Sequence, residues 1–506
     1  MAELSETEEF GRHEVSPSRR KFARADFLRL ASAGASLSVL PAYLAALGSA
    51  SSAQTAVRGA GITGGEYPIG IWWPPPRSKT TVGRYKEIAD AGFNFVVGGN
   101  GVNGHPDYPA ALEAAEANGL RYLLSDGALQ KIIRESAGNA ASRTTTSETT
   151  GVMQYLTRRD EPISTFGTAA TDPRTEINAR IRDLVARYGQ HPALAGLNIY
   201  DEPHKKMFGL VGYAKEVLQE AAPEEMPYVN VWPSYASPNA LGTSTYEAYL
   251  ERYFEVVRPP TLVFDHYPLL ADGRITSDYF YNWAVIRKYA NRFGVPSQTF
   301  IQSVGFDGRK AGLTRRRKPN EQELLWQINV SLAYGAKGIQ YFTYWTPDTR
   351  PGDPIKFGQA LISNTGQRTA LYYAAGRVNG YLRVIGKTLL PLVSESVVHA
   401  GEKNPPRGAK PFQKDAYVKS RSGSPVILSR FRDPAGGADR HLLIVNRSFS
   451  KRAVARLKLS SAVSRVFEIS RTTGQPDPVA LQGDPPRYLP VGLAPGAARL
   501  YVLQTG

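Results

Sequence analysis

Between residues 66 and 392 two hydrophobic patterns take turns. Short, nearly continuous apolar runs occur at Pro68–Trp73, Phe93–Val97, Arg121–Ser125, Leu194–Tyr200, Pro227–Trp232, Thr261–His266, Thr299–Ser303 and Gly338–Tyr344. Continuous apolarity, rather than in–out alternation, marks strands buried on both faces. Between most of these runs, apolar positions fall at helical spacing over Val82–Ala91, Tyr108–Asn118, Thr175–Tyr188, Thr245–Val257, Ser277–Phe293 and Asn320–Tyr334. Gly92, Gly119 and Gly335 follow three of them as stop residues. Strand–helix alternation of this regularity implies a parallel sheet. An open doubly wound sheet would show a glycine-rich phosphate turn after its first strand, but here that strand runs into Trp72-Trp73-Pro74-Pro75-Pro76. Eight units therefore predict an α/β chain with a closed (β/α)8 TIM barrel over 66–392.

Three segments depart from this pattern. Gly127 to Asp172, rich in Thr, Ser and Gly, follows the third strand on the side where barrels carry their chemistry, and reads as a lid or substrate-binding excursion. Thr369–Leu389 reads as the closing helix. From residue 394 to 506 the pattern becomes short alternating runs such as Val426–Phe431, His441–Val445, Ala453–Leu457 and Ala498–Leu503, punctuated by Pro, Gly and Asp. This predicts a small antiparallel β-sandwich, with bracing of the barrel as its default role.

Residues 1–53 belong to neither pattern. Ser18-Arg19-Arg20-Lys21-Phe22 precedes a weakly apolar, small-residue stretch from Leu28 to Leu47, with Ser51-Ser52-Ala53 as a cleavage site. That layout resembles a twin-arginine export signal and predicts a secreted or periplasmic protein. No later segment is apolar for long enough to span a bilayer. The chain has no cysteine, which excludes disulfides, thiol catalysis and Cys-ligated metal. The net charge is +16, and residues 1–56 hold equal numbers of acids and bases, so the excess lies in the mature part. The densest basic run, Arg315-Arg316-Arg317-Lys318, reads either as a solvated loop or as a holder of an acidic polymer or phosphate. No nucleic-acid motif accompanies it, so the charge points instead to acidic or cell-wall glycans.

The C-terminal ends of the eight strands collect polar and aromatic residues: Trp72 and Trp73, Asn100, Asp126, Asp201 and Glu202, Trp232, Asp265 with His266 and Tyr267, Gln302, and Tyr344 with Trp345. Aromatic faces stack on the C–H faces of sugar rings, while carboxylates and amides take the hydroxyls, so the set predicts a poly- or oligosaccharide site. Glycosidic bonds need two carboxyl groups. Glu202 is the expected general acid, with Asp201 beside it. Asp265 is the first choice for the second group, with Asp126 and Asp307 behind it. Glu321 and Glu323 sit in a helical first turn, where carboxylates are favoured by the dipole alone. No cofactor is expected, and no His-x-His or His-Glu-x-x-His pattern indicates a metal.

On these residues the chain resembles (β/α)8 glycoside hydrolases. Asp201-Glu202-Pro203 is similar to the Asn-Glu-Pro of the large retaining-glycosidase clan, whose glutamate is the acid/base. Ser331 to Ile339, leading to Tyr341–Trp345, resembles the eighth-strand region of β-galactosidase-like barrels. The resemblance implies that Glu202 is the acid/base. It also places a nucleophilic glutamate at the end of the seventh strand, where this chain has Gln302. Three mechanisms stay open: inversion with Asp265 as base, retention with Asp265 as a relocated nucleophile, or substrate assistance by the Asp201–Glu202 pair. The rival reading is a carbohydrate-binding barrel that does not hydrolyse.

Overall fold

The computed structural model describes residues 61–137, 152–159, 172–483 and 487–505. The predicted export signal lies outside them. Each of the eight apolar runs supplies one strand of a closed parallel barrel: β1 Ile69–Trp72, β2 Phe95–Val97, β3 Arg121–Ser125, β4 Leu194–Asp201, β5 Met226–Val231, β6 Leu262–Asp265, β7 Ser297–Gln302 and β8 Ala336–Phe342. Strand β8 pairs with both β7 and β1, which closes the ring. Helices α1 Val82–Asp90, α2 Tyr108–Glu116, α3 Gly127–Ser136, α4 Val152–Arg159, α5 Pro173–Tyr188, α6 Phe208–Ala221, α7 Tyr246–Val256, α8 Tyr279–Phe293, α9 Glu321–Ala333 and α10 Ala370–Leu389 are the main helices.

Three helices depart from the sequence reading. Helix α6 was not expected, because Gly209 and Gly212 interrupt its apolar pattern. A Cβ on Gly212 would stand 3.0 Å from the Val256 carbonyl oxygen, so glycine there lets α6 close onto the end of α7. The excursion after β3 contains α3, which Asp126 caps by accepting the Leu129 N–H at 2.8 Å, and also α4. Residues 138–151 and 160–171 of it lie outside the described set.

After α10 come nine strands, β9 Val393–Ala400, β10 Val418–Gly423, β11 Val426–Arg432, β12 Arg440–Asn446, β13 Ala453–Leu459, β14 Val463–Ile469, β15 Pro476–Pro478, β16 Tyr488–Leu493 and β17 Ala498–Thr505. They form an antiparallel six-stranded sheet in the order β9-β11-β12-β17-β14-β15 and a three-stranded sheet in the order β10-β13-β16. Side chains alternate by face. Ile427, Leu443, Val445, Leu500 and Val502 join the apolar cluster of the barrel, while Val426, Leu428, Leu442, Ile444 and Leu503 fill the space between the two sheets. The junction is also sealed by hydrogen bonds: Trp326 Nε1 donates to the Arg447 carbonyl at 3.2 Å and Asn329 Nδ2 to that of Gly496 at 2.8 Å. The sandwich is thus fused to the barrel through a shared core.

Candidate active site

The fold delivers the strand ends to one mouth, and the backbone shows where that delivery was forced. Among the described residues, four non-glycine residues have positive φ: Trp73 (63°), Asn100 (54°), Glu202 (50°) and Arg258 (51°). Three of these were candidate site residues. A left-handed conformation costs an ordinary residue roughly 1–2 kcal/mol, so it persists where surrounding structure imposes it, and such residues cluster at functional sites.

At Glu202 the reason is visible. Consecutive residues of a strand face opposite sides, so Asp201 and Glu202 could not both face the mouth from a regular strand. Strand β4 shifts register against β5 between Asn198 and Tyr200, and ends with Asp201 opposite Asn230. The Glu202 N–H then donates to the Asn230 carbonyl at 2.8 Å while its φ turns left-handed. Both acids are buried, with 6% and 2% of their surface exposed.

Asn230 is the hub. Its Nδ2 donates to Asp201 Oδ1 at 3.0 Å and to Asp265 Oδ1 at 3.3 Å, and lies 3.6 Å from Met153 Sδ, which brings α4 over this side of the mouth. The sequence reading passed over Asn230, as it did Tyr228. Both sit within an apolar run but share the Tyr228–Asn230–Trp232 face, so two-residue periodicity was the signal that could have found them. Burial raises the Asp201 carboxyl above the ordinary carboxylate range, the Asp265 charge raises it further, and Asn230 opposes. Burial likewise raises the Asp265 carboxyl, against the Asn230 hydrogen bond and the neighbouring Tyr267 and Glu202, which favour its ionised form. Both aspartates are therefore harder to ionise than an exposed carboxyl, and at Asp201 the Asp265 charge adds to the effect of burial.

Other candidates are used by the protein itself. Asp126 accepts from Arg180 through both oxygens (2.9 and 2.6 Å), from Tyr108 at 2.9 Å and from the α3 N-terminus. Gln302 is fully buried: its Oε1 accepts the Leu269 N–H at 2.9 Å, and its Nε2 donates to the carbonyls of Leu269 and Arg317. His266 pairs through Nδ1 with Asn282 at 2.8 Å and through Nε2 with Thr276 at 2.7 Å, so neither ring nitrogen faces a ligand. Among the described residues no group of three or more acids and histidines is arranged to hold a metal ion. Tyr344 stands edge-on to Phe93 and Trp345 lies under Arg84, which ties both to the helical shell. Asp307 is drawn to Arg309 at 2.7 Å, and Glu323 closes the capping box of α9.

Two aromatic clusters remain at the mouth. Trp72 stacks on Phe342 with ring centroids 5.5 Å apart, and Phe342 meets Tyr267 at 4.6 Å. Trp72, Trp73, Asn100, Ser125 and Asn198 line a crevice of about 20 Å³, room for one water-sized group. Asn100 is held by its Nδ2 bond to the Pro74 carbonyl at 2.7 Å. Trp232 is 5% exposed at the end of β5, next to the turn that carries Tyr235. A larger cavity of about 590 Å³, lined by Arg287, Lys337 and Ser394, lies at the opposite ends of β7 and β8 and takes no part in this site.

No protein-family model matches the chain, and no curated protein matches it. Solved structures do. A family 5 glycoside hydrolase from Bacteroides vulgatus aligns with TM-score 0.50 at 12% identity, over 86% of this chain and 89% of that one. A protein described as a glycoside hydrolase aligns with TM-score 0.48 at 11% identity, over 86% and 92%. A cold-adapted β-galactosidase from Rahnella sp. R3 aligns with TM-score 0.43 at 14% identity over 66% of this chain, which spans 58% of that enzyme's length. The barrel fold read from the strand count is thus one that glycoside hydrolases share, and the comparisons single out no family within it.

Proposed function

We propose that this chain is an exported glycoside hydrolase, cleaving glycosidic bonds of a poly- or oligosaccharide with Glu202 as general acid and Asp265 as its partner carboxylate. The observation that carries this reading is the pair of buried carboxyl groups, Asp201 and Asp265, that share the Asn230 amide at the mouth of a closed barrel, with buried Glu202 tied to Asn230 through its backbone N–H. Burying acids against one another is costly, and it is the arrangement that sorts neighbouring carboxyls into one proton donor and one anion.

The roles follow from the placement of the carboxyls. Glu202 lies close enough to Asp265 to act on its charge, and as the general acid it passes its proton to the leaving glycosidic oxygen. Asp265, bonded by the Asn230 amide, attacks the anomeric carbon. In the second step Glu202 takes a proton from water, which displaces the sugar from Asp265. Inverting enzymes keep their carboxyls roughly 6.5–9.5 Å apart to admit a water, whereas retaining enzymes hold them at roughly 5–5.5 Å. Glu202 acts on the charge of Asp265 and so stands close to it, which favours the shorter, retaining separation. Asp201, whose carboxyl burial raises, serves to orient the sugar beside Glu202.

Turnover of aryl glycosides and cell-wall polysaccharides by the mature protein, with the product anomer followed by proton NMR, tests this. Retained configuration is expected. Inversion would remove Asp265 as nucleophile, and binding without turnover on any glycan would move the assignment to a carbohydrate-binding barrel.

A further inference from the structure

Three consecutive arginines in the loop after β7 have different surroundings. Arg315 faces Asp307 at 4.0 Å and Arg317 pairs with Glu323 at 2.7 Å. Arg316, between them, is 7% exposed and forms no ion pair among the described residues. Its Nε donates to the Tyr267 carbonyl at 2.6 Å and its Nη1 to that of Thr314 at 2.9 Å, which fixes the guanidinium beside the residue two positions after Asp265. Asp278, the acid whose charge acts on Arg316, already accepts from the Ser234 hydroxyl at 2.6 Å and faces His266 at 3.7 Å.

The guanidinium stands 5.7 Å from the centre of the Tyr235 ring. Tyr235 is 40% exposed, unusual for a large aromatic at a barrel mouth whose tryptophans are almost fully covered. It is not loosely placed. Ser234 N–H donates to Asn282 at 2.8 Å, the Ser234 hydroxyl is held by Asp278, and the Tyr235 ring packs edge-on against His266 at 4.9 Å. His266, Asn282 and Thr276, which contribute nothing directly to the acid cluster, thus support this platform. The Tyr235 hydroxyl lies within the electrostatic reach of Asp265 and Glu202.

A buried cation without a counter-ion is costly in a folded chain unless an anion completes it. A rigid, exposed aromatic face beside it takes the apolar face of a sugar ring. We infer that Tyr235 and Arg316 form a subsite for a sugar bearing an anionic substituent, a carboxylate or a sulfate ester, next to the scissile bond. This rests on the glycosidase reading above and names its substrate class: an acidic glycan.

The test uses matched pairs: uronate polysaccharides with their carboxyl-reduced derivatives, and sulfated galactans with their desulfated derivatives. The parent is compared with Arg316→Gln in kcat/KM, and Glu202→Gln in binding by calorimetry. The parent is expected to favour one anionic member by about 30-fold or more, and Arg316→Gln to lose that preference while still turning over the neutral partner. The pair that shows the preference identifies carboxylate or sulfate. Turnover with no anionic preference in either pair overturns the subsite and leaves the hydrolase reading standing. If nothing is turned over, the hydrolase reading fails, and calorimetry decides the subsite alone: equal binding of charged and neutral members overturns it. Should Arg316→Gln fold poorly, Tyr235→Leu removes only an exposed ring and is expected to weaken binding of both members.

Discussion

Asp126 and Asp265 both follow or end a buried barrel strand, and each is 1% exposed. Nothing in their burial tells them apart; their partners do. Around Asp126 every contact is a donor, and the Arg180 guanidinium neutralises it within 2.6 Å. Around Asp265 the neighbours include the acids Asp201 and Glu202, and Asp201 shares its Asn230 amide. The β3 acid is thus matched by a cation, whereas the Asp265 charge raises the neighbouring Asp201 carboxyl. A buried acid matched to an arginine is architecture; a buried acid matched to other acids is a candidate for chemistry.

The largest effects separate these sectors by rate. Glu202→Gln and Asp265→Asn are each expected to lower kcat by about 10²–10⁴-fold or more, with oligosaccharide affinity kept in the glutamine variant. Asp126→Asn is expected to leave kcat per folded molecule unchanged. Equal losses in Asp126→Asn and Asp265→Asn, measured on the same substrate, would erase the distinction.

Stability should show the reverse order. Asp126→Ala removes a helix cap and leaves Arg180 half-buried without its carboxylate, an expected loss of about 3–5 kcal/mol in urea unfolding. An unchanged midpoint would mean that solvent replaces the pair at no cost.

The same contrast explains what was legible in the sequence. The barrel was, because apolar runs buried on both faces have few other uses, and all eight overlap real strands. So was the pairing of Asp201 with Glu202, although not the left-handed turn that lets both face inward. The distinction between Asp126, His266 and Gln302 on one side and Asp265 on the other was not, because it depends on partners distant in the chain: Arg180, Asn282, Leu269 and Asn230. Helix α6 was hidden by glycines that serve packing, which local propensity counts against a helix. Asn230 was visible in principle, as a polar residue on the inward period of an apolar strand.

Gln302 offers a sharper intermediate case, since it occupies the strand end where the retaining clan carries its nucleophile. Its amide donates to two backbone carbonyls, and a carboxylate there would face oxygen atoms instead. Gln302→Glu is therefore expected to cost about 2–3 kcal/mol in unfolding free energy and to restore no alternative catalysis when combined with Asp265→Asn. Activity in that double variant would show that the seventh-strand position still reaches the sugar.

The smallest expected effect divides the two sectors by pH. Burial first, and the Asp265 charge second, raise the Asp201 carboxyl above its unfolded value. Between those two values the folded chain binds more protons than the unfolded one, so stability falls as pH rises from the ordinary carboxylate range, about 4, through the raised one. Asparagine does not titrate. Asp201→Asn should therefore match the parent below that range and exceed it by about 1 kcal/mol or more at pH 8, read from urea midpoints across the series. Asp126→Asn is expected to lose stability instead, because it weakens the pairing with Arg180. If Asp201→Asn is instead the less stable chain at pH 8, Asp201 is ionised and held by a cation. The acid cluster would then be architecture of the same kind as Asp126, and the charge assigned to Asp265 would have to be withdrawn.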